Sequence, residues 1–155
     1  MASLRAQIFA AVAAKLETVR QTLDWTSLLV NPRDDVGEDQ LNAVLLAHGG
    51  DREPSALTGH VEMAWLEFSA GMMVMESAAA SAEELLDAGF VAICDALLDR
   101  MDIQLSGLAV GIERGAVSDP VFGRGPKGAR ILGGQSIDFI VQYLVREGDA
   151  SCVGP

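Results

Sequence analysis

The segment that most restricts the fold of this chain begins at Ser81, where the sequence is that of a capped amphipathic helix. Ser81 and Glu84 have the spacing of a capping box, in which the serine side chain accepts the backbone N–H three residues further on. The apolar stripe that follows consists of Leu86, Phe90, Ile93, Leu97 and Met101, and Asp95, Asp99 and Asp102 share the opposite face. A helix with one apolar face must pack against another layer, which the rest of the chain has to supply.

A second amphipathic helix is predicted at the start of the chain, over Ala2–Thr22. Its apolar residues recur every three or four positions, which places them on one face of a helix. They are Leu4, Ile8, Val12, Leu16 and Val19. Alanines between them favour the helix further.

The other apolar segments have the length and composition of β-strands. The predicted strands are Trp25–Val30, Leu41–Ala47, Gly59–Phe68, Gly71–Glu76, Gly107–Arg114 and Ser136–Arg146. Leu41–Ala47 is apolar throughout, as in a strand buried on both faces. Two glycine- and proline-containing segments, Asn31–Gln40 and Gly115–Gln135, are predicted loops, and Glu147–Pro155 is a predicted loose tail. The expected fold class is α+β, with a mainly antiparallel sheet packed against two helices, in a single domain over residues 1–150 and a tail over 151–155.

Composition excludes several classes of protein. The longest stretches without a charged residue span ten positions, Leu41–Gly50 and Ile103–Ile112, whereas a membrane-spanning helix needs about 20 apolar residues. The net charge of −11 argues against tight binding to nucleic acid, which requires clustered basic residues. The N-terminus lacks the order of signals of a secretory signal peptide. Cys94 and Cys152 form no disulfide framework, which indicates a reducing compartment or one where disulfides do not matter.

Residues that carry chemistry are sparse and scattered in the sequence. His48 and His60 lack neighbours at metal-ligand spacing, so we interpret both as structural. The glycines from Gly123 to Gly128 lack the spacing of a phosphate-binding loop and lead into no helix. The acidic face of the second helix is interpreted as solvated. We therefore expect no catalytic residue, no metal site and no cofactor.

One loop departs from the acidic character of the chain. Arg124, Lys127 and Arg130 are three of the 11 basic residues and lie within seven positions. Two interpretations are open: the loop is simply solvated, or it docks on an acidic neighbour, either another copy of this chain or a stacked partner. In the second case these three residues contact a neighbouring subunit or the stacked partner.

The order of elements resembles that of the tail terminator (tail completion) proteins of long-tailed phages and of phage-derived gene transfer agents. The residues that carry the resemblance are Gly49-Gly50-Asp51-Arg52-Glu53, Asp102-Ile103-Gln104-Leu105-Ser106-Gly107-Leu108 and Phe139-Ile140-Val141-Gln142-Tyr143. They stand within a series of helix, strands, capped helix and strands that covers Leu4 to about Asp149.

The resemblance implies a structural virion protein without enzymatic activity or cofactor. Such proteins form a ring, usually a homohexamer, at the end of the tail tube near the neck, where they stop polymerisation and join the tail to the head. The implied partners are further copies, the tail tube protein and a head–neck connector protein, with DNA only passing through the channel and no membrane. The particle would be assembled in the host cytoplasm. Two alternatives remain: a head–tail connector (neck) protein, and a small enzyme or ligand-binding protein of mixed α+β fold.

Overall fold

The computed structural model describes residues 2–56, 60–125, 130–146 and 149–153, and it confirms the α+β class. In these residues, two α-helices and seven strands follow one another. They are α1 (Leu4–Leu23), β1 (Ser27–Val30), β2 (Ala43–Ala56), β3 (Val61–Met75), α2 (Ala82–Leu97), β4 (Gly111–Val117), β5 (Val121–Arg124), β6 (Ile131–Arg146) and β7 (Asp149–Val153), with one 3₁₀ turn at Glu38–Gln40.

The sheet is built around β6. Its strand order is β1-β2-β3-β6-β4, and β5 and β7 also pair with β6. One edge of β6 pairs with β3 along its whole length, whereas the other edge is shared end to end by β5, β4 and β7. The β1–β2 pair is parallel and the remaining pairs are antiparallel, as the expected mainly antiparallel sheet requires.

Alternate residues of β3 and β6 form the core by pointing toward the two helices, as the period of two in a strand dictates. The buried set is Ala64, Leu66, Phe68, Ala70, Met72 and Val74 on β3, and Ile137, Phe139, Val141, Tyr143 and Val145 on β6. Phe68 and Phe139 lie opposite each other with ring centroids 5.4 Å apart. The predicted stripe of α1 is confirmed, because all five of its apolar residues are buried in the same core.

Side-chain caps fix where the helices begin. The Ser3 hydroxyl accepts the Ala6 N–H at 3.1 Å, and the Ser81 hydroxyl accepts the Glu84 N–H at 3.2 Å, as the Ser81 spacing predicts. At the other end of α1, Asp24 adopts φ 55° and ends the helix. The segment after α2 is tied back to α1 by an ion pair of 3.0 Å between Lys15 and Asp102.

The predicted apolar stripe of α2 needs a correction. Leu86, Ile93 and Leu97 are buried, but Phe90 is only half-buried and Gly89 takes the core-facing position beside it. Because α2 ends at Leu97, Met101 lies beyond the helix and its residue is 92% exposed. Asp99 and Asp102 also lie past this end and so share no helix face with Asp95.

Strand boundaries differ from the predictions where glycine was taken as a break. The predicted pair Gly59–Phe68 and Gly71–Glu76 is one strand, β3, because Gly71 is paired on both sides, with Leu45 and with Ser136. Likewise β2 continues beyond Ala47, with irregularities in register at Gly49 and between Arg52 and Ser55. Ala47 is exposed, so this segment is not buried on both faces.

The C-terminal third is also more regular than predicted. The fourth strand begins at Gly111 rather than at Gly107 and runs on to Val117. The predicted loop Gly115–Gln135 contains β5 and the first residues of β6. Gly133 lies in β6, where it pairs with Val74 and Phe122. A Cβ there would lie 3.1 Å from Leu86 and 3.3 Å from Phe122, so the glycine permits close packing of α2. Residues 149–153 of the predicted loose tail form β7.

Candidate assembly surface

The face of the sheet opposite the helices, here called the outer face, carries large apolar side chains. These are the residues of β2, β3 and β6 that alternate with the core residues, and they are only half-buried. They are Leu45, Met63, Trp65, Met73, Met75, Leu132, Ile140 and Leu144. These side chains form two groups, one on each side of Glu67, Ser69 and Asp138, and exposed apolar groups of this size are candidate contact sites.

A groove of about 440 Å³ crosses the middle of the outer face. Glu67, Ser69 and Asp138 give it polar walls, and the Ser69 hydroxyl donates to Asp138 Oδ1 at 2.7 Å. Gly49 and Gly115 leave the space open, since a Cβ at either position would come within about 3.3 Å of a neighbouring backbone oxygen. The groove therefore suits a protruding side chain from another surface.

A second groove, also of about 440 Å³, lies at the edge of the sheet between α2 and the β4–β5 region; it is called the edge groove below. Its apolar lining comes from Leu86, Phe90, Val117, Pro120 and Phe122, and Glu83 and Asp87 stand at its acidic rim. Val117 and Phe122 are 38% and 42% exposed, so part of the apolar lining of the groove is open to solvent.

Arg114 of β4 fastens this edge to α2. Its guanidinium carbon lies 5.8 Å from the centre of the Phe90 ring, within range of a cation–π contact. Burial raises the pKa of the nearby Cys94 thiol, and a hydrogen bond with Arg114 partly offsets that effect. The thiol is therefore protonated at neutral pH and poorly reactive.

The structure brings Arg124 and Arg130 together where β5 ends and β6 begins, and the segment 124–130 is called the basic turn below. Arg124 is the last residue of β5, Arg130 precedes β6, and both are exposed. The Gly125 N–H donates to the Arg130 carbonyl at 3.1 Å. Lys127 lies outside the described residues. The prediction that these three residues contact a partner stays open.

Acidic groups of the same chain flank this basic turn. The Glu38 carboxylate lies close to Gly125, since a Cβ on Gly125 would be only 2.8 Å from Glu38 Oε1. Glu76 Oε1 accepts the Ile131 N–H at 3.1 Å. The basic turn is thus partly balanced within the subunit, and a partner that binds it would compete with or extend these contacts.

The two histidines stand well apart. His48 is half-buried on β2 in the row of Phe68, and His60 is exposed just before β3. His60 and Phe68 are eight residues apart in the chain, which corresponds to about 26 Å at the usual rise of a strand. Arg5 Nη2 lies 2.8 Å from His48 Nε2, beside a small groove of about 280 Å³ at the start of α1.

Within residues 2–56, 60–125, 130–146 and 149–153, no group of three or more His, Cys, Asp or Glu side chains is placed to hold a metal ion. Neither helix in this part of the chain is long and apolar enough to cross a membrane.

Sequence reasoning found the basic turn but missed the outer face and the edge groove. It took Met63 and Trp65 as one face of a strand without assigning that face to core or surface, and the structure leaves both half-exposed while burying Ala64 and Leu66. The usable signal was that β6 carries Ile140 and Leu144 on the face opposite its core residues, so both of its faces are partly apolar.

The chain was also compared with known proteins. No protein-family model matches it, and no curated protein shows significant similarity to it.

Proposed function

We propose that this chain is a ring-forming tail terminator of a phage-like particle, which caps the tail tube, stops its polymerisation and joins the tail to the head. The observation that carries the proposal is the one-sided sheet: both helices cover one face, and the other presents half-exposed Leu45, Trp65, Met73 and Ile140. A protein that binds copies of itself and the end of a tube needs apolar surface that no element of its own chain covers.

The resemblance of the sequence to tail terminators in its order of elements, from the first helix to the last long strand, supports the same proposal. The charge is also suitable. Each copy carries a net charge of −11, and a ring multiplies that value by its copy number. A channel lined by part of this charge would repel passing DNA at short range rather than retain it, with salt limiting the reach of the effect.

Particles made without this chain test the proposal directly. In a strain that produces the particle, deletion of the gene should give tails of abnormal length or heads without tails, visible by electron microscopy. Joined particles with tails of normal length would refute it. Cross-linking in intact particles then identifies the neighbour: contact with tube subunits supports the terminator, whereas contact only on the portal side would replace it by the neck connector.

The basic turn gives a second test. Changing Arg124, Lys127 and Arg130 to Glu should impair particle assembly without altering the circular dichroism spectrum, because it reverses the charge of a basic cluster whose described members, Arg124 and Arg130, are exposed. A matched pair of variants isolates the site: R124E/R130E against R100E/R146E, which alters the net charge equally at other exposed arginines. Equal assembly by the two pairs would show that the turn is only solvated.

A further inference from the structure

The two edges of the sheet end in exposed valines that belong to the same row of side chains. Val30 on β1 pairs with Leu46, which pairs with Ala70, then Ile137 and finally Val117 on β4. The three central residues are completely buried, but Val30 is 46% and Val117 is 38% exposed. All five point to the helix-covered face, because residues opposite each other in a sheet share a face. The core row therefore opens to solvent at both ends.

Both edges also have unused pairing capacity. Within the part of the chain that the structure describes, β1 pairs only with β2, and β4 pairs only with β6. An unpaired edge presents backbone N–H and C=O groups that another strand can use. Because these edges lie on opposite sides of one sheet, a contact between them joins unlike surfaces head to tail. Such contacts build rings where the rotation between copies closes, and open filaments where it does not.

The strand directions agree with such a contact. β1 is parallel to β2, and three antiparallel pairings separate β2 from β4, so β1 and β4 run in opposite directions within one subunit. A neighbour that continues the sheet in the same orientation would therefore place its β1 antiparallel to β4. Antiparallel pairing is the commoner form and the one with the more stable ladder.

We infer that copies of this chain join edge to edge, with β1 of one copy antiparallel to β4 of the next and Val30 of one opposite Val117 of the other. The edge groove beside Val117 receives the Val30 side chain, which Phe90 and Phe122 then cover. β1 has only four residues and β4 has an irregular register between Arg114 and Val117, so the shared ladder is short. The inference rests on the proposed function for its ring, and it names the surfaces that meet.

A pair of cysteines tests this contact. Residues directly opposite in an antiparallel pair have Cα atoms about 4.5–5.5 Å apart, inside the range of about 4.4–6.8 Å that a disulfide spans. In a chain with Cys94 and Cys152 changed to Ala, the V30C/V117C variant should form a reducible ladder of linked copies on mild oxidation. The matched control is V30C/V91C, since Val91 on α2 is 49% exposed but lies on no edge.

A second measurement does not depend on oxidation. Val117→Lys would place a charge at the centre of the contact and should weaken self-association at least about tenfold, whereas Val91→Lys should leave it unchanged. Light scattering over a concentration series measures the association, and circular dichroism checks that both variants fold.

The possible outcomes separate this inference from the proposed function. If wild-type copies associate but V30C/V117C links no better than V30C/V91C, the edge contact is wrong and the ring is built differently. If V30C alone links as well as the pair, two β1 edges meet and the head-to-tail contact is wrong. A chain that stays monomeric and unlinked overturns the inference, while the tail phenotype decides the proposed function independently. Linking in a protein whose deletion leaves particles normal would support the contact and refute the function.

Discussion

Gly89 is a position where helix propensity and packing make opposite predictions. It lies in the middle of α2, is buried, and faces Met72 and Trp25. A Cβ at this position would be 2.5 Å from Met72 Sδ and 2.6 Å from Trp25 Cη2. Ordinary contacts between such atoms are about 3.5–4.0 Å. Met72 and Trp25 are 1% and 5% exposed, so neither can move freely into solvent.

The two effects of Gly89→Ala differ in sign and in size. Replacing glycine by alanine inside a helix stabilises it by about 1 kcal/mol, whereas an extra methyl group forced into a packed core costs about 1–3 kcal/mol. Because the methyl group meets a different side chain on each side, we expect a cost near the upper end. The free energy of unfolding should therefore fall by about 1–2 kcal/mol, which lowers Tm by roughly 2–8 °C for a chain of this size.

Urea unfolding followed by circular dichroism measures this change. Ala88→Gly is the matched control: Ala88 is the exposed neighbour of Gly89, and its replacement should cost about 1 kcal/mol through helix propensity alone. In a Met72→Ala background the cost of Gly89→Ala should shrink, since one of the two overlapping groups has been removed. A Gly89→Ala protein as stable as the wild type, or more stable, would refute the packing argument.

Two further predictions concern stability. Phe139→Ala should lower the free energy of unfolding by about 3–5 kcal/mol, because Phe139 is completely buried and stacked on Phe68. Phe90→Ala should lower it distinctly less, because Phe90 is only half-buried. Equal losses for the two variants in urea titrations would contradict the placement of Phe90. The Lys15 ammonium, followed by the backbone N–H that Asp102 also accepts, lowers the pKa of Asp102 below its ordinary value of 3.8. A carboxylate with a lowered folded pKa contributes stability above the unfolded pKa and loses it as the pH falls through the folded pKa. Asp102→Asn should therefore be less stable than the wild type at pH 7 and equal to it in strong acid, and a difference that persists unchanged in acid would exclude this ion pair as the cause.

The sequence predicts elements well where one local pattern decides them. The stripe of α1 and the alternation of Ile137, Phe139 and Val141 each place side chains on a face without reference to the rest of the chain. Glycines were wrong indicators of strand ends, because contacts with distant parts of the chain decide those positions. Gly71 and Gly133 lie inside strands because pairing on both edges and the close approach of α2 outweigh their low strand propensity, and neither effect is visible locally.

The candidate site follows the same division. The cluster Arg124, Lys127 and Arg130 is a local feature, so its position could be predicted, although its acidic neighbours Glu38 and Glu76 could not. The row that ends in exposed valines depends on the register of five strands taken from distant parts of the chain. No spacing in the sequence reveals such a row, because a shift of one residue in any pairing would turn its side chains to the other face.

The central position of β6 also determines the order in which the protein can fold during synthesis. Every pairing of β3, β4, β5 and β7 other than that between β2 and β3 requires β6, yet β6 leaves the ribosome more than 50 residues after β3. At a synthesis rate of about 5–20 residues per second, the edge of β3 remains without its partner strand β6 for several seconds. During that interval the nascent chain exposes an apolar strand 15 residues long, so β3 is the segment on which a chaperone would act, and a chain interrupted before residue 131 would be left with that edge open.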